Sequence, residues 1–150
     1  MKHGISSSNN PFDLEIELKH KAFDDEGMLT DNLLPSGCLS QPGQNVAINR
    51  HAIEITAFQN LENLDIRTYR IIPVRNLAFT QLPRLKTLKI GSIYCQDFNL
   101  FELPVLEKIY LEKIKLEKFH LGKTPNLKVL KIDAIADMIT RFSMTRHFLH

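Results

Sequence analysis

The chain has 150 residues, of which 43% are hydrophobic and 24% charged, and its formal net charge is +2. This composition is typical of one soluble globular domain, and no apolar run approaches the roughly 20 residues that a membrane-spanning helix needs. The charge is uneven, since acidic side chains are in excess before residue 61 and basic ones after it.

The N-terminal segment combines a polar stretch with an alternating one. Residues 1–11 are rich in Ser and Asn and lack the apolar region of a signal peptide, so we expect a flexible tail. Residues 12–18 then alternate apolar and acidic side chains, the pattern of a half-buried strand with an acidic outer face. Because a repeat at the end of a solenoid needs covering, we expect this strand to cap the first repeat.

The rest of the predicted N-terminal capping region, residues 12–59, has weaker patterns. Residues 24–45 are rich in turn formers, and the acidic cluster 24–27 lacks the alternation of a calcium-binding loop, so we expect no metal there. Residues 46–58 fit a short helix or a strand. We favour a degenerate leading repeat, with Ile53 and Ile55 in the places of Leu64 and Ile66.

The central residues 60–135 repeat the pattern x-L-x-x-L/I-x-I/L four times, at 60–66, 84–90, 105–111 and 126–132. The last three copies start 21 residues apart, and the first leads by 24, from Leu61 to Leu85. The first three units each end at a proline. The units are therefore 60–83, 84–104, 105–125 and 126–135 onward. Alternate residues of each repeat are expected to point inward as stacked aliphatic side chains.

This period and spacing resemble the leucine-rich repeat. The resemblance implies an α/β solenoid with a short parallel sheet on its concave face and short or irregular convex returns. The residues leave open whether each return is a helical turn, a 3₁₀ turn or a short second strand. After the repeats, apolar residues at helical spacing predict a C-terminal capping helix over residues 136–150.

No arrangement of residues typical of catalysis is found. The six histidines are scattered, the glycines are isolated, and nucleotide-binding and nucleophile motifs are absent from the sequence. Cys38 and Cys95 are far apart and lack metal-ligand spacing, so we expect two free thiols, with a single disulfide between them as the alternative. The prediction is a protein that is not an enzyme and takes no cofactor or metal.

The outward residues of the predicted strands form rows across the concave face. One row contains Tyr110 between Lys89 and Lys131, with Asp65 beside Lys89 as an expected ion pair. An exposed aromatic side chain between cations is typical of protein interfaces. Another row places the carboxylates of Glu112 and Asp133 together. Leucine-rich repeat proteins use this face, so we predict protein binding there through Lys89, Lys108, Tyr110, Glu112, Lys131 and Asp133.

The first unit has three extra residues, and insertions in solenoids often lie at the binding face. Arg67 and Tyr69, in this insertion, complete the predicted partner-binding residues. Two alternatives remain: a bacterial effector acting on a host protein through the same face, and nucleic-acid binding through arginines such as Arg70 and Arg75. We expect the cytoplasm, or export into a host cell without a classical signal peptide. Homo-oligomers through the solenoid ends are a further expectation, and membrane or small-molecule partners are not expected.

Overall fold

A computed structural model describes residues 5–7, 12–19, 45–49, 51–68, 71–139 and 143–144. These residues form ten strands and no helix. The strands are β1 (Ile5–Ser7), β2 (Asp13–Leu18), β3 (Asn45–Ile48), β4 (Ala52–Thr56), β5 (Asn63–Thr68), β6 (Ile72–Thr80), β7 (Thr87–Phe101), β8 (Lys108–Leu121), β9 (Val129–Ile139) and β10 (Ser143–Met144).

The chain winds as a β-solenoid of about four turns that stack through parallel strands. Each turn has a front strand and a back strand. In β7, residues 87–90 form the front strand and pair with β5, while residues 93–101 form the back strand and pair with β6. β8 pairs with β7 along both parts, so equivalent repeat positions lie side by side. The solenoid with a parallel sheet predicted from the repeat is confirmed.

A continuous apolar core fills the interior of the solenoid. In the turn that contains β7, the buried side chains are those of Leu85, Leu88, Ile90, Ile93, Cys95, Phe98, Leu100 and Leu103. The rings of Phe79, Phe98 and Phe119 follow one another through the core. Phe79 meets Phe98 edge to face at a centroid distance of 6.0 Å, and Phe98 stacks on Phe119 at 5.0 Å. Each buried aliphatic side chain contributes roughly 1.5–3 kcal/mol, so the repeat of inward positions is what holds the turns together.

The return half of a turn is a strand, with one interruption of its alternation in β6 at Arg75 and Asn76. β6 has nine residues, and its buried positions alternate with less buried ones near its end, at Leu77 and Phe79. A two-residue period is that of a strand, since successive side chains point to opposite faces. Of the alternatives that the sequence left open, the second strand is the one observed. It is longer than the short return that we expected.

The N-terminal strands extend the stack by a partial turn. β2 pairs in parallel with β5, so it is a front strand. The carbonyl of Phe12, the residue before β2, accepts a hydrogen bond from the backbone N–H of Glu62 at 2.7 Å. β1 pairs antiparallel with β2, so residues 5–7 of the predicted tail form a strand. Residues 1–4 and 8–11 lie outside the described residues.

The position predicted for Ile53 and Ile55 is wrong. They stack on Leu77 and Phe79 of the back strand β6, not beside the front strand β5. An alternating pair of isoleucines fits either a front strand or a back strand, and β2 already occupies the front position beside β5. β4 is therefore a back strand, with β3 antiparallel along its outer edge.

The helix predicted over residues 136–150 is not confirmed. Residues 136–139 continue β9, and β10 pairs in parallel with His120 and Leu121 of β8. The remaining residues of that segment lie outside the described part of the chain. The apolar residues there have a spacing that fits a helix, but the stack offers β9 a neighbouring strand to which it can add backbone hydrogen bonds.

The corners of the turns repeat as regularly as the strands. A backbone hydrogen bond joins Leu85 N to Leu82 O at 3.2 Å, and the next two turns have the same bond at Leu103 and Thr124. Gln81 and Glu102, one period apart, both have positive φ, as do Ser92 and Lys113 at the bend between front and back strands. Left-handed backbone is uncommon for residues other than glycine, so these corners are held by the stacking on either side.

Candidate functional site

The outward side chains of the front strands form one continuous surface, which we call the front face. It consists of three parallel rows: Asp13, Asn63, Thr87, Lys108 and Val129; Glu15, Asp65, Lys89, Tyr110 and Lys131; and Glu17, Arg67, Gly91, Glu112 and Asp133. Neighbouring front strands lie ~4.8 Å apart, so side chains of one row interact directly.

The charges of the front face are separated along the solenoid. The strand β2, the first front strand, contributes three carboxylates, while Lys89, Lys108 and Lys131 are exposed on later strands. Beyond them, Glu112 and Asp133 are register neighbours, both exposed. A partner that matches this face must therefore carry charges of both signs.

Tyr110 lies at the centre of the front face and is half-buried. Lys89 and Lys131 flank it in register, and the Lys89 ammonium lies 5.7 Å from the ring centroid. An ammonium over an aromatic face is held by the ring quadrupole, with an energy of roughly 0.5–1 kcal/mol at exposed sites. The hydroxyl of Tyr110 has no hydrogen-bond partner among the described residues.

Two grooves meet at Tyr110. The larger, of about 400 Å³, has Asp13 and Glu15 on one wall and Lys89, Lys108 and Tyr110 on the other. Asn63, Asp65 and Thr87 line the groove between these walls. The groove is therefore acidic on one side and basic on the other.

The smaller groove, of about 220 Å³, runs along the third row between Arg67 and Glu112. It exists because Gly91 lies between them, and a Cβ built on Gly91 meets nothing within 4 Å.

Asp65 binds Arg67, not Lys89 as we expected. The Arg67 guanidinium donates to both Asp65 carboxylate oxygens, at 3.2 and 2.9 Å. This hydrogen bond is the main cause of the raised pKa of Arg67, and the coulombic attraction of Asp65 is the next. The two residues are two apart on one strand and so face the same way, which leaves the Lys89 ammonium to the Tyr110 ring.

The structure brings seven of the eight predicted residues to one surface. Lys89, Lys108, Tyr110, Glu112, Lys131 and Asp133 lie on the front face, and Arg67 lies at the end of β5 on the same side. Tyr69 lies outside the described residues.

Sequence reasoning missed Asp13, Glu15 and Glu17 as members of the front face. Asn63 donates to Asp13 at 2.6 Å, a contact between residues 50 positions apart. The alternation of residues 12–18 and the expected capping position were the signals that could have placed these carboxylates beside β5.

The back strands carry a similar aromatic and lysine pair. The Lys115 ammonium lies 5.0 Å from the ring centroid of Tyr94. Here the Tyr94 hydroxyl donates to Glu117 at 2.8 Å, and this hydrogen bond is the main cause of the raised pKa of Tyr94. Within the described residues, the Tyr94 hydroxyl therefore has a hydrogen-bond partner, whereas the Tyr110 hydroxyl has none.

The remaining polar groups form small contacts. His120 lies 4.0 Å from Asp97 across the back strands. No cluster of three or more metal-ligating side chains occurs in the described residues. The described ranges also contain no helix that is long and apolar enough to cross a membrane.

Comparison with protein-family models, curated proteins and solved structures gave no match. The class of the protein is therefore set by its fold alone, a parallel β-solenoid with 21-residue turns and a mixed-charge front face.

Proposed function

We propose that the chain is a non-enzymatic protein-binding module that docks a protein partner on its front face. The observation that carries the proposal is the position of Tyr110, which lines both grooves between two lysines and has a hydroxyl without a partner in the described residues. Tyrosine at the centre of a surface supplies large contact area and a hydrogen-bonding group, and such residues dominate interface energies.

The partner we propose is a protein surface with charges of both signs. A basic group would lie against Asp13 and Glu15, and acidic groups against Lys89 and Lys108, on opposite walls of the larger groove. The interleaved carboxylates would repel phosphates, so the charge pattern argues against nucleic acid. The leucine-rich repeat resemblance supports the same role, because proteins of that family bind partners on their strand face.

The test is capture of a partner from a lysate by the full-length chain and by the variant Y110A/K89E. We expect the variant to lose capture, because it removes the central ring and reverses a flanking charge. Single interface anchors of this kind typically contribute about 2 kcal/mol or more, which is more than a tenfold loss of affinity.

A matched control is available on the opposite side of the solenoid. The variant Y94A/K115E removes the same pair of residue types from the back strands, where the ammonium-to-ring distance is 5.0 Å. Capture that survives Y94A/K115E but not Y110A/K89E supports the proposal. Equal capture by all three proteins, with unchanged circular dichroism spectra, would mean that the front face does not bind the partner.

A further inference from the structure

The last front strand ends the described stack with an uncovered edge. β9 pairs with β8, and within the described ranges no strand pairs with its other edge. Leu127, Leu130 and Ile132 are only partly buried there, whereas the equivalent residues one turn earlier are 0–1% exposed. An exposed strand edge is a template for pairing with another strand, and these side chains lack the cover that each earlier turn receives.

The charges on β9 are complementary to themselves under two-fold symmetry. Lys131 and Asp133 both point outward from this strand, on either side of Ile132. Two copies of a strand that pair antiparallel are related by a two-fold axis. With the axis at Ile132, Lys131 lies opposite Asp133 of the second copy, and the reverse pair forms on the other side. Moving the axis to Lys131 would oppose two ammonium groups, so the charges select the first register.

We propose that β9 pairs antiparallel with β9 of a second copy of this chain, forming a symmetric dimer centred on Ile132. On the inner side the two Ile132 side chains meet. On the outer side, each lysine supplies a cation to the neighbouring carboxylates of Glu112 and Asp133, which are otherwise adjacent like charges. Dimerisation covers the edge and the partly buried side chains together.

This inference goes beyond the proposed function and does not depend on it. The dimer joins the front faces of two chains into one sheet in which the two Tyr110 side chains are separated by three strand spacings, or roughly 14 Å across the strands. A partner bound at one front face would then lie beside an identical site on the second chain.

Sedimentation of the full-length chain over a wide concentration range measures the association. The dimer has twice the 17.3 kDa mass of the chain. K131E and D133K each turn both cross-strand pairs from attractive to repulsive, and we expect each to raise the dimer dissociation constant roughly tenfold or more. The double variant K131E/D133K restores opposite charges and is expected to dimerise like the original chain.

Mixing the two single variants gives the sharpest result. K131E has only acidic groups at these two positions and D133K only basic ones, so an equimolar mixture is expected to form heterodimers while neither variant dimerises alone. A chain that stays monomeric at all concentrations overturns the proposal, as does a mixture that associates no better than its parts. Y110A/K89E leaves β9 unchanged and should still dimerise, so loss of partner capture and loss of the dimer are measured separately.

Discussion

Thr124 interrupts a column of leucines in the corners of the solenoid. Leu82 and Leu103 occupy the same position in the two preceding turns and are 0% and 1% exposed, and Thr124 is 2% exposed. Its hydroxyl makes no hydrogen bond within the described residues. The backbone at Thr124 forms the same corner hydrogen bond as the leucines, so only the side chain departs from the repeat.

The variant T124V is expected to stabilise the protein. Valine has the shape of threonine without the hydroxyl, and a buried polar group without a partner costs about 1–3 kcal/mol. We therefore expect the free energy of unfolding to rise by about 1–2 kcal/mol. For a chain of this size, that corresponds to an increase of about 3–6 °C in the melting temperature. Urea unfolding and thermal melting followed by circular dichroism measure both quantities.

The control is the same substitution at a hydroxyl that has a partner. Thr80 lies 3.1 Å from the hydroxyl of Thr56, and both are half-buried. T80V removes that hydrogen bond and should leave stability unchanged or lower it by up to about 1 kcal/mol. A T124V protein that is no more stable than the original chain would refute the reasoning, because it would mean that the Thr124 hydroxyl is satisfied in solution.

Further substitutions test the core and the corners. F98A removes the ring whose centroid lies 6.0 Å from that of Phe79 and 5.0 Å from that of Phe119. We expect it to lower the free energy of unfolding, measured in urea, by about 3–5 kcal/mol. Burial raises the pKa of Cys95 from 9.0 to about 12, so in a background with the other cysteine replaced by serine, iodoacetamide should label native protein at pH 8 far more slowly than unfolded protein. Because the folded state favours the neutral thiol, the contribution of Cys95 to the free energy of unfolding is fully present below pH 9 and is lost as the pH rises toward 12. The variant C95A should not show this loss. G122A places a Cβ 2.8 Å from the Phe101 ring and should lower the free energy of unfolding by about 1 kcal/mol. A Cβ at Gly91 has nothing within 4 Å, so G91A should change the free energy of unfolding by less than about 0.5 kcal/mol.

The rows of the front face could be predicted because parallel in-register stacking is set by the repeat. Once Leu85 and Leu106 are aligned, every outward residue between them has a defined neighbour, and the pairing of Lys89 with Tyr110 follows from counting. The inward positions follow in the same way, since a shift of one residue would turn the apolar side chains outward.

Other features depend on contacts that no local pattern encodes. β2 lies beside β5 although 50 residues separate Asp13 from Asn63, and the repeat does not extend to it. The left-handed corners at Glu102 and Lys113 carry no glycine, so the usual signal for positive φ is missing. The ion pair of Asp65 with Arg67 also depends on side-chain conformation within one strand, where the row pattern had favoured Lys89.

The equal length of the units 84–104 and 105–125 makes the number of such turns an adjustable property of this protein. Each turn contacts only its neighbours, so a second copy of residues 84–104 inserted after Pro104 would find the same stacking surfaces on both sides. Such a duplication would move β9 away from β2 by one strand spacing, ~4.8 Å, and leave the chemistry of both ends unchanged. Internal duplication alone would thus change the distance between the acidic strand β2 and the edge of β9 without altering either of them.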